Sequence, residues 1–441
     1  MVGSAEGVER PRSVSIKIPN VRIFCRKGFL MSALSPSASP ASASSPAARR
    51  VLVSGASIAG PALAYWLDRH GFEVTVVEKA PTVRGGGYAI DIRGVAREVA
   101  DRMGIMPALR AAHVDSRRLS FVDAAGEPIG SVRPEQVTGG AAGLDLEVRR
   151  GDLATALTDL LEGRVEFLFN DSIATLDDDG DAVHVEFDSG TLRTFDLVIG
   201  ADGLHSNTRR LVFGPEEPFH RYLGHVFAGF TLPNEFGLVR EGAIWNEPGR
   251  GAALYAHEPD EDLHGFLVFR NEEVPFTAFR NPGAQRALVR ERFPERSWHL
   301  PRMVEGMEKA DDLFFDIVSQ IHLYTWSHGR VALAGDAAHA TSFLSGQGSS
   351  VALVGAYVLA GELARHSDHE VAFAEYERIV RPFAERNQAL ATGGGTVVVP
   401  GTREELDARN AMLRAAAAGG APEDGGATHG VHSAIDLPRY E

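Results

Sequence analysis

Three short stretches of this chain combine residue types that suit the binding of a phosphorylated dinucleotide. The first is VLVSGASIAG, residues 51–60. Gly55 supplies the tight turn after a β-branched apolar run, and Gly60 permits close packing of the next helix on the strand. The helix N-terminus is then aimed at a pyrophosphate, where its unpaired N–H groups favour negative charge. Ser57 stands where a middle glycine is usual. It is small enough for close approach, and its hydroxyl can donate to a phosphate. Glu78 ends the second apolar run, about 20 residues on, where a carboxylate accepts hydrogen bonds from a ribose. Read otherwise, Glu78 is a surface acid beside Lys79.

The second stretch is DLVIGADGLHSNTRR, residues 196–210. A buried run leads through Gly200 into Asp202 and Gly203 and then into a basic helix start. Alone, it reads as an Asp-Gly turn. The third is GRVALAGDAAHATSFLSGQGSSVALVGAYVLAGEL, residues 329–363. Asp336 follows a strand and can accept from a ribose or ribitol hydroxyl. The loop holding Gly346 and Gly348 opens a long helix, whose N-terminal partial charge can stabilise negative charge on a reduced isoalloxazine ring. His339 has the chemistry of a proton donor, but its apolar setting gives it a structural role.

These residues need a scaffold that brings distant segments together. Val51–Ser54, the helical pattern Ile58–His70 and Phe72–Val77 form a βαβ unit, with Pro61 tolerated in the first turn. A short crossover of this kind implies a parallel sheet. Residues 117–147 read as hairpins, and Asp152–Leu161 as a helix. Residues 164–200 alternate apolar and polar positions between turns. Residues 220–323, with aromatics interleaved in strand-like runs, read as a mostly antiparallel sheet. Helices are expected from Gly348, over 369–392 and over 402–417. The acidic turn before Gly180 lacks the acid pattern of a calcium loop, since Thr175 stands where an acid is required.

The whole chain bounds the answer. Its 441 residues exceed one ordinary core. A net charge of -15 argues against a nucleic-acid backbone or an anionic membrane as the main partner. Cys25 is the only cysteine, which excludes an intramolecular disulfide and a cysteine-based metal site; no metal site is expected. A cytoplasmic setting is the expectation. No stretch reaches the roughly 18 to 20 apolar residues of a membrane span. Residues 1–49 are rich in Ser, Pro and Ala and read as a disordered extension, with Met31 a natural alternative start.

In this order and spread over residues 50–392, the three motifs resemble those of the FAD-dependent aromatic-ring hydroxylases. These are the group-A flavoprotein monooxygenases of the p-hydroxybenzoate hydroxylase fold, and the branch most similar is that of the tetracycline-inactivating monooxygenases. The resemblance implies an α/β chain: a Rossmann-like FAD-binding domain interleaved with a mostly antiparallel β-sheet substrate domain and followed by C-terminal helices. Its FAD-binding parts would be 50–112, 148–215 and 324–368. A β-hairpin insertion on the substrate side would span 113–147, the substrate domain 216–323, the helices 369–417 and a flexible tail 418–441.

The resemblance also implies roles. Gly55, Ser57, Ile58, Ala59 and Gly60 would cradle FAD, with Glu78 at its ribose and Lys79 beside it. In RGGGYAIDIRG, Arg84 would meet NAD(P)H and Asp91 the FAD. Arg150, in VRRGDL, would contact the flavin, and Asp202 and Gly203 would serve both nucleotides. Asp336 would hold the FAD ribose, and Gly346 and Gly348 would border the ring. NAD(P)H would visit transiently, since only one dinucleotide unit is visible. The implied cycle reduces FAD, forms a flavin hydroperoxide from dioxygen and passes one oxygen to an electron-rich carbon of an aromatic or polyketide-like small molecule. Positioning and exclusion of water are the protein's part, so no catalytic acid or base is named.

Two positions depart from the family pattern: Ser57 itself, and Phe343, which stands where a proline often precedes the Gly-Gln-Gly loop. A halogenase is excluded by the absence of a W-x-W-x-I-P-type motif around Trp66, Trp245, Trp298 or Trp326. A flavin-dependent reductase and a Baeyer–Villiger oxygenase on the same fold stay open, as does a non-catalytic flavin- or nucleotide-binding regulator. Phe230, Trp245, Tyr255 and Phe269 are candidates for an aromatic pocket, with core packing the competing role. Oligomeric state is not readable.

Overall fold

The apolar run at the start of the first motif becomes the strand Arg50–Ser54, with Val51, Leu52 and Val53 fully buried inside a six-stranded sheet. The strand pairs in parallel with Glu73–Glu78 on one side and Leu197–Gly200 on the other. Val331–Leu333 extends the parallel set beyond Leu197–Gly200, and Glu166–Phe169 extends it beyond Glu73–Glu78. Only the edge strand Ser327–His328 runs antiparallel. Burial on both faces is why these strands read as continuous apolar runs. On one face the helix Ala59–Arg69 packs against Gly348–Arg365, which is apolar almost all round and buried from Ser350 to Leu363.

The structure, a computed structural model, describes residues 48–83, 87–134, 145–275, 281–417 and 430–440. The chain from Ala48 onward forms one body.

A second sheet has seven strands, ordered Phe314–Ile321, His220–Leu232, Leu263–Arg270, Arg250–Ala256, Glu241–Glu247, Arg118–Val122 and Pro128–Val132. Every pairing is antiparallel except that of Glu241–Glu247 with Arg118–Val122. The hairpin 118–132 therefore completes this sheet. Period-two alternation sorts its two faces. Val226, Ala228, Phe230 and Leu232 face the helices Pro282–Arg292 and Leu300–Lys309; Val289, Met303 and Met307 of these helices, with Phe293 just after the first, complete that core. Strands dominate the expected reading of 220–323; the structure adds these two helices, the first started by Asn281, which accepts from Ala284 N, and by Pro282.

Between the sheets lies a two-stranded antiparallel ribbon, Ala89–Ile92 with Leu146–Arg149. At the C-terminus, helices span His369–Val398 and Arg403–Ala417, the first longer than expected and continuous through Pro382. The expected flexible tail 418–441 is not the state of residues 430–440. Tyr440 packs its ring on Gly361 and donates from its hydroxyl to Glu362 Oε1 at 2.6 Å. Among the described residues no helix is long and apolar enough to cross a membrane.

Candidate functional site

The three motifs end side by side, because their strands are neighbours in the parallel sheet and point the same way. In such sheets the crevice beyond the carboxyl ends is the ligand position. Gly55 takes φ +106°, and a Cβ there would sit 2.5 Å from the carbonyl oxygen of Ala201. A Cβ on Gly60 would stand 1.8 Å from Gly55 O, so the helix reaches this turn only with glycine. The third motif closes on the first through Gly335, which packs against Ala59.

Glu78 is bound into the turn. Its Oε2 accepts from Ala56 N at 2.8 Å and its Oε1 from Ala80 N at 2.9 Å. Lys79 beside it is exposed, while Ile58 and Ala59 are buried at the start of the helix. Ser57 Oγ accepts from Arg150 Nη2 at 2.7 Å. Arg150 opens the helix Arg150–Asp159, and its backbone N–H donates to Tyr88 O. Its charge also opposes the burial that pushes Asp336 above the usual carboxylate range; Asp316 adds to that push. Asp336 nonetheless reaches solvent, so it lines a recess deep in the protein. Gly348 lies against its carboxylate.

Asp202 is turned inward. Its Oδ2 accepts from Thr208 N at 2.8 Å and from Thr208 Oγ1 at 3.0 Å, and Ser206 Oγ donates to its Oδ1. It therefore shapes the start of the helix Asn207–Phe213, which Ser206 caps. Next to it, His205 bridges Glu216 at 2.8 Å and Asp316 at 3.0 Å. Burial alone would lower this histidine; hydrogen bonds to the two carboxylates outweigh it and raise it to about 9. Asp91 is ion-paired with Arg93 and stands opposite Glu147 across the ribbon. Arg84 lies outside the described residues.

An aromatic wall rises beside Arg150. Tyr88 meets Phe266 edge-on at 5.6 Å, Phe266 meets Tyr255 at 5.9 Å, and Phe227 stacks on Phe343 at 4.6 Å. Phe230, Trp245 and Phe269 sit on the other side of the sheet, in the core beneath the helices. Tyr255 alone of the four pocket candidates faces the wall. Tyr88, Phe227 and Phe266 were not singled out; alternation marks the two faces but not which one a ligand meets. His339 is buried between Trp326 and Tyr376, and burial lowers it to about 4.

The donor set fits a flavin nucleotide. The amide of Gln347, 1% exposed between Gly346 and Gly348, has a nitrogen and an oxygen with no protein partner. Buried amides are almost always paired, so an unpaired one beside this loop suits a bound polar group. Gly203 and Gly346 take positive φ and border open space, as backbone meeting a ligand closely requires.

A family model described as "FAD binding domain" matches residues 48–217 and 316–391. An uncharacterized protein of Mycobacterium tuberculosis (strain ATCC 25618 / H37Rv) is 44% identical over 361 residues, covering 81% of this chain and 97% of its own. A flavin-dependent monooxygenase of an unknown prokaryotic organism is 37% identical, with 90% and 100% covered. The crystal structure of the tetracycline destructase Tet(55) superimposes with a TM-score of 0.77 at 34% identity, again with 90% and 100% covered.

Proposed function

The chain belongs to the FAD-binding-domain family of flavin-dependent monooxygenases, in the branch that holds the tetracycline destructases, and from that premise we propose that it uses NAD(P)H and dioxygen to hydroxylate an aromatic or polyketide-like small molecule. The observation that supports this most is the meeting of the three motifs, Gly55 on Ala201 and Gly335 on Ala59, at the carboxyl ends of three neighbouring parallel strands.

When bound, FAD reduced by NAD(P)H supplies the chemistry that activates dioxygen. The turn Gly55–Gly60, with Ser57, Ile58 and Ala59, would hold the pyrophosphate against the helix N-terminus. Glu78 keeps lone pairs free for ribose hydroxyls after binding Ala56 N and Ala80 N, and exposed Lys79 would lie at the nucleotide's edge. Arg150, oriented by Ser57, and Asp336 would take the middle of the cofactor, with Asp91 nearby. Gly346, Gln347 and Gly348 would border the ring. Asp202 and Gly203 act through the loop they shape, toward FAD and a transient NAD(P)H, with Arg84 on the NAD(P)H side. Tyr88, Phe227, Phe266 and Phe343 would place the substrate ring and keep water from the reacting centre.

The test is purification with FAD. The protein is expected to be yellow, to hold stoichiometric FAD and to oxidise NAD(P)H faster when a phenolic or polyketide substrate is present. Protein reconstituted with FAD that binds none would end this reading.

A further inference from the structure

The end of the chain ties together helices that lead back to the candidate cofactor site. Residues 430–440 carry little regular structure beyond the short turn Val431–Ser433. Ser433, Asp436 and Arg439 are exposed, one residue in three, and the residues between them turn toward the protein. That period suits an extended chain lying along a surface. Ile435, Leu437 and Tyr440 pack against the apolar core that holds Trp66 and Tyr357.

The segment crosses three helices. It runs the length of Val95–Met103. Before that helix starts, His432, 3% exposed, lies on Gly94; a Cβ on Gly94 would stand 2.2 Å from His432 O, so a side chain there would displace the segment. In its last turn Arg102 Nη1 donates to Pro438 O at 3.1 Å, and the Tyr357 hydroxyl, on Gly348–Arg365, donates to the same oxygen at 2.7 Å. Arg365 Nη2 donates to Arg439 O at 3.2 Å beside the bond of Tyr440 to Glu362. Arg386, on the helix His369–Val398, donates to Ala434 O at 2.8 Å.

Two of these helices begin at the candidate site. Val95–Met103 follows the ribbon strand that carries Asp91, and Gly348–Arg365 follows the loop of Gly346. Ser350 Oγ accepts from Arg93 N at 3.4 Å and donates to Asp91 O at 3.2 Å, so one hydroxyl joins the ribbon to the second helix. Parting the ribbon from the Gly346–Gly348 loop swings the two helices apart, and the segment that spans them resists this while it is seated.

We propose that residues 430–440 are a strap that gates the exchange of FAD, lifting for the cofactor to enter or leave and trapping it once seated. The proposal rests on the flavin monooxygenase reading of the site. Lifting a terminal segment is a local opening that costs less than global unfolding. Exchange then follows the lifted fraction in both directions, so release and uptake change together while affinity is nearly kept.

The experiment loads the full chain with radiolabelled FAD, chases it with excess unlabelled FAD and counts the bound label after rapid desalting. Uptake of labelled FAD is measured on cofactor-free protein. Deletion of residues 430–441 should speed release and uptake alike, by about tenfold or more, and leave Kd within about threefold. Tyr440→Phe, which removes one bond to a carboxylate, should speed both by about fivefold or more. Met303→Ala, in the core beneath the other sheet, should lower the unfolding temperature yet leave both rates within about twofold. The inference is overturned if release speeds without uptake, which makes the segment a support of the bound site rather than a gate. It is also overturned if neither variant moves the rates beyond twofold, or if Met303→Ala speeds exchange as much as Tyr440→Phe. Where the deletion does not fold, Tyr440→Phe decides alone. A wild type that holds no FAD is a different result, and it removes the functional reading together with this one.

Discussion

Arg150 Nη2 lies 2.7 Å from Ser57 Oγ, joining positions 93 residues apart in sequence. The serine in the middle of the first motif thus orients a cation rather than merely replacing a glycine. Ser57→Gly removes one neutral acceptor and should weaken FAD by no more than about tenfold, the worth of a single hydrogen bond. Arg150→Met removes a charge and should cost more, about tenfold to a hundredfold. In the Arg150→Met background Ser57→Gly should add nothing. FAD titration of the four proteins reads this as a double-mutant cycle.

Gly60→Ala tests the junction of turn and helix. Its Cβ would meet Gly55 O at 1.8 Å, and neither group is the end of a flexible side chain. Overpacking of this kind costs roughly 1–3 kcal/mol or more. Denaturant unfolding should show that loss, and FAD affinity should fall with it because the turn must move.

His205 predicts a pH dependence of stability. Its value in the folded protein, about 9, lies above its ordinary 6.5. The stability it contributes is therefore fully present below about pH 6.5 and is lost as pH rises through about 9. His205→Asn should be less stable than the wild type near pH 6, and the gap should narrow toward alkaline pH. Thermal unfolding of both proteins across that range checks the sign.

Tyr440→Phe should destabilise the chain by about 1–3 kcal/mol, because the phenol donates to a carboxylate that is otherwise deeply buried. Glu362 is 1% exposed and, among the described residues, keeps Arg365 and His366 as side-chain partners when the hydroxyl is removed. Thermal unfolding measures the loss. Mutating the tail would have no effect if residues 430–440 were unbound.

Much of the geometry at the carboxyl ends of the parallel strands was legible, because its rules are local. Gly55 and Gly60 follow from the tight turn between a strand and a helix, and Glu78 from the end of the next strand. The bond of Ser57 to Arg150 was not legible from spacing, since no local pattern links residues 93 apart. The hydrogen bonds of the Asp202 carboxylate to Thr208 and Ser206, which shape the helix start, were not read from the motif, although the Ser-Asn-Thr run signals a cap there. Period-two alternation separated Phe230 from Phe227, but only packing of the helices 282–309 shows which face is core. The end of the tail was missed because Tyr440 is held by Gly361 and Glu362, far away in sequence, while the Gly- and acid-rich residues before it set the local composition.

The central claim is tested most directly by product mass under isotopically labelled dioxygen. FAD-loaded protein is incubated with NAD(P)H and a panel of phenolic and polyketide substrates. The account predicts a product carrying one labelled oxygen atom, formed in step with NAD(P)H oxidation. A product that gains two hydrogens and no label, or no substrate-dependent oxidation of NAD(P)H across the panel, would contradict it.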